Sequence, residues 1–436
     1  MLTYLLVAGL SFLTSCENGI PVPPAIEDNE FEKSDVAIEW YKLQLHIILN
    51  ANPPISPSIV SRIFAYEGIG LYESARCRIR NSVSLSNSLY QMPAMPSKEN
   101  NRGYSQSISA NATLASLVRS LYPNLTDPNK TSIDSLENAF NEMSKPDMQS
   151  EVFKRSQSFG LAIAGAVFNW SKTDNDNQSN VGYVPPVFDG AWVPTPPALA
   201  SAAAPYLGSA RPLLQSDVAG VAPPPAFAYS EAVGSDFYNM VKDIYDVSQA
   251  LTPEQKNIAL FWNDVGVKKG YTPPGHSISI LNQILEKQHA SLSLAAEAYA
   301  KLGIALRDAT ILTWRSKFTY NQLRPVTYIR KLIDPNWLPL LGTPPHPEYP
   351  AAHAYITSAV MQTLTGIFGT HYAFTDNTYN FLGYAPRNYS TLNDAGVESG
   401  ISRRFGGIHY MPSIQVGLAL GKELGTRVNH IKLTKY

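Results

Sequence analysis

The sequence predicts an all-α fold, a helical bundle built as a single large domain. Three observations carry this expectation. Apolar residues recur at three- and four-residue spacing through most of the chain, alternating strand patterns are scarce, and 44% hydrophobic residues over 436 positions supply a sizeable core. The formal net charge of −1 argues against a nucleic-acid surface, whose footprint is a strong excess of Lys and Arg.

The chain opens with a short apolar run, Leu5 to Leu13, ending Leu13-Thr-Ser-Cys16. Such a run is too short to span a bilayer and reads as an export signal over residues 1–15. Leu-Thr-Ser-Cys16 resembles a bacterial lipobox, which implies cleavage before Cys16 and a lipid on its thiol; an ordinary secretory signal is the alternative. Residues 16–34, with Pro21, Pro23, Pro24 and several acidic side chains, read as a flexible tether, and the folded domain is expected over 35–436. Cys77 is the other cysteine, so the fold does not depend on a disulfide once Cys16 is lipidated. No later stretch is apolar for long enough to cross a bilayer.

Asp35 to Leu49 carries Val36, Ile38, Trp40, Tyr41, Leu45 and Ile47 on a helical pattern, with Ser34 or Asp35 as cap and Asn52-Pro53 as stop. Further helices are expected at Ser58 to Arg76, Ser107 to Leu121, Ser132 to Met143 and Met148 to Ser171. Residues 173–227 then break the rhythm with Pro, Gly, Ala and Ser. A structureless loop this long is uncommon in a compact domain, so it is either disordered or an ordered wrap. Beyond it, helical patterns cover Ser235 to Tyr245, Pro253 to Trp262, Ile278 to Trp314 (broken or continuous), Ala354 to Phe368 and Ile414 to Leu424. Two bundles within one domain fit the length.

Three clusters carry chemistry. The first is Trp314-Arg-Ser-Lys317 through Arg324-Pro325. Lys317 and Arg324 lie seven apart, about two turns, so on a continuing helix their heads converge on one ligand. The second, Pro344-Pro-His346-Pro-Glu-Tyr349-Pro350-Ala351-Ala352-His353, is a stiff approach that sets His353 in the first turn of an apolar helix, where free backbone N–H groups attract an anion. The third, Ser402-Arg403-Arg-Phe-Gly406-Gly407-Ile-His409, places a cation and an imidazole around a glycine pair that lets backbone approach a ligand. A helix follows, with Pro412 near its first turn. Guanidinium forks match the oxygens of a tetrahedral oxyanion in pairs, and an ammonium adds a point charge. One unprotonated imidazole can bond the central atom while a second moves protons.

The spacing Lys317-x6-Arg324-Pro325, Pro350-x2-His353 and Ser402-Arg403-x5-His409 resembles the three-part signature shared by vanadium-dependent haloperoxidases and type 2 phosphatidic acid phosphatases. Trp314 stands where haloperoxidases tend to have an aromatic residue. Phe261-Trp262-Asn-Asp264, Thr272-Pro-Pro-Gly275-His276 and Trp192-Val-Pro-Thr-Pro-Pro197 are similar to segments of soluble bacterial haloperoxidase-like proteins, so the likeness covers roughly residues 36 to 427. It implies a helical-bundle haloperoxidase/acid-phosphatase-like fold and favours the ordered wrap. By the same resemblance, His409 is the vanadate ligand, or the phosphorylated nucleophile of a phosphatase. Lys317, Arg324 and Arg403 hold the oxygens, His353 is the acid–base histidine, and Asp264 is the carboxylate that pairs with Arg403. His346 falls where chloroperoxidases tend to carry phenylalanine and bromoperoxidases histidine, which leans toward bromide or iodide.

Two departures stand out. The family's Pro-Ser-Gly-His is Pro350-Ala351-Ala352-His353 here, so a hydroxyl for the oxyanion is missing and only backbone N–H groups can replace it. The aspartate expected four residues after the histidine is Ser413, so no carboxylate partner for His409 stands at that place. His276, His289, His46, His371 and His430 read as structural, and Arg315, Arg330 and Arg404 as surface or structural charges.

Three functions fit. The first is a haloperoxidase-like enzyme that oxidises halide with hydrogen peroxide at vanadate on His409. The second is a metal-free phosphatase working through phospho-His409, and the third is an exported, mostly helical lipoprotein that binds a nutrient such as a glycan and catalyses nothing. Trp314, His346, the absence of spanning segments and the upstream Phe-Trp-x-Asp segment favour the first. Small-molecule substrates are implied, with membrane contact only through the lipid anchor and no nucleic-acid partner.

Overall fold

Polar caps and prolines at the starts, and apolar faces between them, produce thirteen α-helices and one small hairpin among the described residues. The structure, a computed structural model, describes residues 32–145, 148–265 and 268–434. The expected export signal, Cys16 and most of the tether lie outside them. The helices are α1 (Asp35–Asn50), α2 (Pro57–Ala75), α3 (Gln106–Leu121), α4 (Asp127–Ser144), α5 (Ser150–Ser171), α6 (Asp236–Gln249), α7 (Pro253–Phe261), α8 (Thr272–Lys287), α9 (Leu292–Tyr320), α10 (Pro325–Leu332), α11 (Ala352–Phe368), α12 (Leu392–Phe405) and α13 (Met411–Asn429). Strands β1 (Phe374–Asp376) and β2 (Arg387–Tyr389) pair antiparallel, Phe374 opposite Tyr389.

Local chemistry explains the boundaries. Ser105, Thr126, Ser235, Thr252, Ser291 and Thr391 each accept a backbone N–H of the helix they precede, satisfying donors that the first turn leaves open. Proline opens α2, α4, α7, α8, α10 and α13, where its missing N–H costs nothing. The pattern over 278–314 resolves into two helices because the chain turns at Gln288 to Ala290 and Ser291 caps a new start. Glu32, expected in the tether, contacts the folded domain. Its carboxylate accepts from Ser105 Oγ and from the amides of Gln106 and Ser107, and so caps α3.

Helix α9 is the axis, buried on all sides over most of its length. It packs on α2 through small residues: a Cβ on Gly303 would stand 2.6 Å from the Phe64 carbonyl oxygen. On its other side α11 packs against α9, α12 and α13. Gly417, Gly421 and Gly425 form a four-residue stripe on α13, and a Cβ on Gly425 would sit 2.5 Å from the Ala359 carbonyl oxygen of α11. These close approaches bring the start of α11 and the segment before α13 together.

Residues 173–227 form an ordered wrap. Asp308 of α9 accepts from the amides of Leu213 and Leu214 (2.7 and 2.8 Å), and Arg315 donates to the carbonyls of Gly208, Asp217, Val218 and Gly220. Trp314 Nε1 donates to the Ala203 carbonyl, and the Ala203 amide donates to Pro345, so the wrap reaches the segment leading to α11. No helix of the described residues is long and apolar enough to cross a membrane.

Candidate active site

Arg324 lies at the centre of the site. Helix α9 ends at Tyr320, where Asn321 turns into the left-handed region (φ 46°), so Arg324 does not share a helix with Lys317. The expected convergence along one helix is replaced by convergence through this turn. Arg324 is fully buried; Nε donates to the His346 carbonyl (2.9 Å), one terminal nitrogen to the Ile408 carbonyl (2.8 Å) and to His409 Nε2 (3.1 Å), and the other to His346 Nδ1 (3.0 Å). Burial pushes its pKa down to about 10, against the pull of Glu348.

Lys317, also buried, donates to three carbonyls, those of Pro347, Glu348 and Pro350 (2.9, 2.8 and 2.6 Å). It thus anchors the approach to α11 and brings its charge to the site, and it reaches an anion only by releasing one carbonyl. Arg403 of α12 donates through Nε to Ser402 Oγ (3.0 Å), through one terminal nitrogen to the Trp262 carbonyl, and through the other toward His353 Nε2 (3.4 Å). None of the three cations forms a carboxylate ion pair among the described residues. Desolvation opposes their charge; Glu348 offsets it in part for Lys317 and Arg324 and Asp264 for Arg403, and an entering oxyanion supplies the rest.

The carboxylate partner that the sequence did not locate for His409 is Glu348, fully buried in the approach segment. Glu348 Oε1 accepts from His409 Nδ1 (2.6 Å) and from the Tyr410 amide (3.1 Å), and buried Ser413 also lowers the carboxylate's pKa. Because Nδ1–H faces a carboxylate and Nε2 faces an arginine donor, the geometry selects the tautomer with an unprotonated Nε2. Burial, then Arg324 and Lys317, hold His409 well below the usual imidazole range. Burial also raises Glu348 to about 7, opposed by Lys317 and Arg324.

His353 sits in the first turn of α11, as expected, with Ala351 at the N-cap. Burial and then Arg403 hold it well below the ordinary histidine range, against Asp264. Ala351 packs against Ala354 and Ile414, and its amide donates to the Ser413 carbonyl (3.4 Å), so the amides of Ala352, His353 and Ala354 are those left without a helical acceptor. The glycine pair allows close packing. A Cβ on Gly406 would meet Leu341 at 2.6 Å, and Gly407 takes φ 76° against Pro339 and Trp337. Both serve packing. Trp314 and His346 lie in tilted contact (5.0 Å between centroids), and burial and the two nearby cations keep His346 neutral. His346, Ala352, His353, His409 and Trp314 line one cavity of about 100 Å³, with Pro57, Pro273, Pro274, Val265 and Ile356 as apolar wall.

Asp264 does not pair with Arg403. Its Oδ1 accepts from His276 Nδ1 (2.8 Å) and the Tyr379 hydroxyl (2.6 Å), and its Oδ2 lies 3.7 Å from His353 Nε2. Its field still favours the charged form of Arg403. His276, expected to be structural, is clamped between two carboxylates, since Nε2 faces Asp376 Oδ2 at 2.8 Å. The two carboxylates outweigh burial and raise its pKa to about 10. A group raised above its unfolded value contributes stability in full below that value and loses it as pH rises through the folded one. Unfolding measured from pH 6 to 11 is therefore expected to show a loss of roughly 2–5 kcal/mol spread between about pH 6.5 and about pH 10, absent in His276→Gln.

Buried cations around an imidazole acceptor, on a helical fold closed by a wrapping loop, form a site for a tetrahedral oxyanion, and the likeness to solved proteins makes this an enzyme of the haloperoxidase type. A family model, the VCPO second helical-bundle domain, matches residues 297–434. The crystal structure of a bacterial vanadium-dependent iodoperoxidase is similar over 94% of this chain and 99% of that one, with 30% identity and a TM-score of 0.82. A holo-type bacterial vanadium-dependent chloroperoxidase shares the fold at 18% identity and a TM-score of 0.67, over 93% of this chain and 98% of that one. No curated protein matches. The chain belongs to the vanadium-dependent haloperoxidase family.

Proposed function

We propose that this protein oxidises iodide or bromide with hydrogen peroxide, using vanadate held on His409. One observation carries the reading: three buried cations, without ion-pair partners among the described residues, surround an imidazole whose Nε2 is left as an acceptor by the Glu348 contact. The donor set fits a tetrahedral oxyanion, because guanidinium N–H groups and first-turn amides match several oxygens while Nε2 matches the central atom. Bound there, vanadate supplies a Lewis acid that activates peroxide for two-electron oxidation of halide. Arg324 and Arg403 bind and orient the oxygens, Lys317 adds charge, and His353, neutral at pH 7, takes and returns a proton. The apolar wall and the small volume exclude bulk water and admit species of the size of peroxide and a halide ion. His346 in place of an apolar residue, and the likeness to an iodoperoxidase, support iodide and bromide over chloride.

The test is a paired assay on metal-free protein, scoring phosphomonoesterase activity and peroxide-dependent iodide and bromide oxidation before and after orthovanadate is added. Halide oxidation that appears only with vanadate is the expected result. Phosphatase activity without it would transfer the site to the related metal-free reading through phospho-His409. Ala352→Ser adds a hydroxyl to the cavity wall at the first turn of α11, and one bond to a charged oxygen is expected to tighten vanadate binding about tenfold, measured by equilibrium titration.

We further propose that the protein is exported and held at the cell envelope by a lipid on Cys16, a reading supported by Leu13-Thr-Ser-Cys16. Cys16→Ser is expected to move the protein from the membrane fraction to the soluble one.

A further inference from the structure

We propose that His276 and Asp376 form a positioning unit that aims the Asp264 carboxylate at His353, keeping one oxygen in reserve to receive the His353 Nε2 proton when that imidazole is charged. The inference rests on the acid–base role proposed above for His353.

Four segments meet to build the unit: the end of α7, the start of α8, β1 and the first turn of α11. Asp264, His276 and Asp376 are all buried to 2% exposure or less. Both His276 nitrogens face carboxylate oxygens at 2.8 Å, so the ring donates twice and is an imidazolium. Trp262 stacks on it, with centroids 4.4 Å apart and planes 26° from parallel, which fixes the ring plane. The Trp262 carbonyl in turn accepts from Arg403, so the same residue places the cation beside His353.

The two Asp264 oxygens are treated differently. Oδ1 is saturated by His276 and Tyr379. Oδ2 is buried and has no hydrogen-bond partner among the described residues, yet lies 3.7 Å from His353 Nε2. A buried carboxylate oxygen without a donor is costly, so this vacancy needs a reason. His353 Nε2 provides one, because it stands between a donor and an acceptor: Arg403 at 3.4 Å and Asp264 Oδ2 at 3.7 Å. Neutral, Nε2 accepts from Arg403. Protonated, it donates to Oδ2, and the charge that appears is met by a carboxylate already oriented. The step balances: the Nε2 lone pair lets go of the Arg403 N–H and forms an N–H bond with the proton that an O–H of the reacting peroxide gives up, the O–H electron pair stays on oxygen, and the same proton returns when the N–H bond breaks. The other charged or titratable groups facing His353 are His276 from α8, Lys317 from α9 and His346 from the approach segment.

Asp376→Asn and Tyr379→Phe test this, since neither side chain touches His353 or the cations around His409. Histidine ring nitrogens are followed by NMR in the metal-free protein, and kcat, halide KM and vanadate affinity are measured in the loaded enzyme. In folded Asp376→Asn, which removes a negative charge behind the imidazolium, His353 is expected to titrate at least about half a pH unit lower. The acid limb of the kcat profile is expected to move with it, and kcat to fall about 10- to 100-fold with KM and vanadate affinity little changed. Tyr379→Phe is expected to show the same split between kcat and KM and decides alone if Asp376→Asn does not fold. Unchanged His353 titration and kcat, or a loss confined to thermal stability or vanadate affinity, would overturn the proposal. If the protein oxidises no halide at all, the metal-free titration still separates this inference from the proposed reaction.

Discussion

His409→Ala is expected to abolish vanadate-dependent halide oxidation, with a loss on the order of 10³-fold or more, and to remove vanadate binding with it. The expectation follows from position. Nε2 is the one imidazole acceptor at the site whose proton is held away by a carboxylate, at 2.6 Å on Nδ1. Without it the anion has no ligand for its central atom, and Arg324 loses an acceptor 3.1 Å away. The cations remain, so residual electrostatic attraction for phosphate or vanadate would persist weakly. Circular dichroism and thermal unfolding of the variant distinguish loss of the ligand from loss of the fold.

Glu348→Ala is expected to have the second large effect, on stability and activity together. Lys317 and Arg324 are both buried, and Glu348 is the carboxylate whose charge opposes the desolvation of each. Its removal leaves buried positive charge uncompensated, at a cost of about 3–5 kcal/mol in the metal-free protein. It also removes the acceptor that holds the Nδ1 proton, so His409 is free to carry that proton on Nε2 and become a poor ligand. Glu348→Gln keeps an oxygen for Nδ1–H without the charge, and is expected to fold while losing about 10- to 100-fold in activity. Saturating vanadate should recover part of the lost stability in both variants, because a bound anion replaces the missing negative charge. Equal melting temperatures for wild type and Glu348→Ala would contradict this view of the cation cluster.

What the sequence revealed, and what it hid, follows distance along the chain. Lys317, Arg324, His353, Arg403 and His409 were legible because oxyanion chemistry needs few residue types and their local spacings are tight. Helices with large apolar faces, such as α1, α3 and α11, were legible through periodicity. Helix α12 was not, since much of its buried face is small or polar: Ala395, Gly396, Ser399, Gly400 and Ser402 leave little hydrophobic signal. The Glu348 contact joins positions 61 apart, and the His276 to Asp376 contact positions 100 apart. No local pattern reports such pairs. A signal for Glu348 did exist: a carboxylate set among prolines, two residues after one candidate histidine and five before another. Asn321 explains the remaining difference, because a single left-handed residue turns Arg324 off the helix that carries Lys317 and still delivers it to the same place.

The most direct measurement is calorimetric titration of orthovanadate into the metal-free protein, repeated with phosphate as competitor and with His409→Ala. One saturable site per chain, competed by phosphate and lost in the variant, is the predicted result. No binding, binding at several unrelated sites, or undiminished binding by His409→Ala would contradict it.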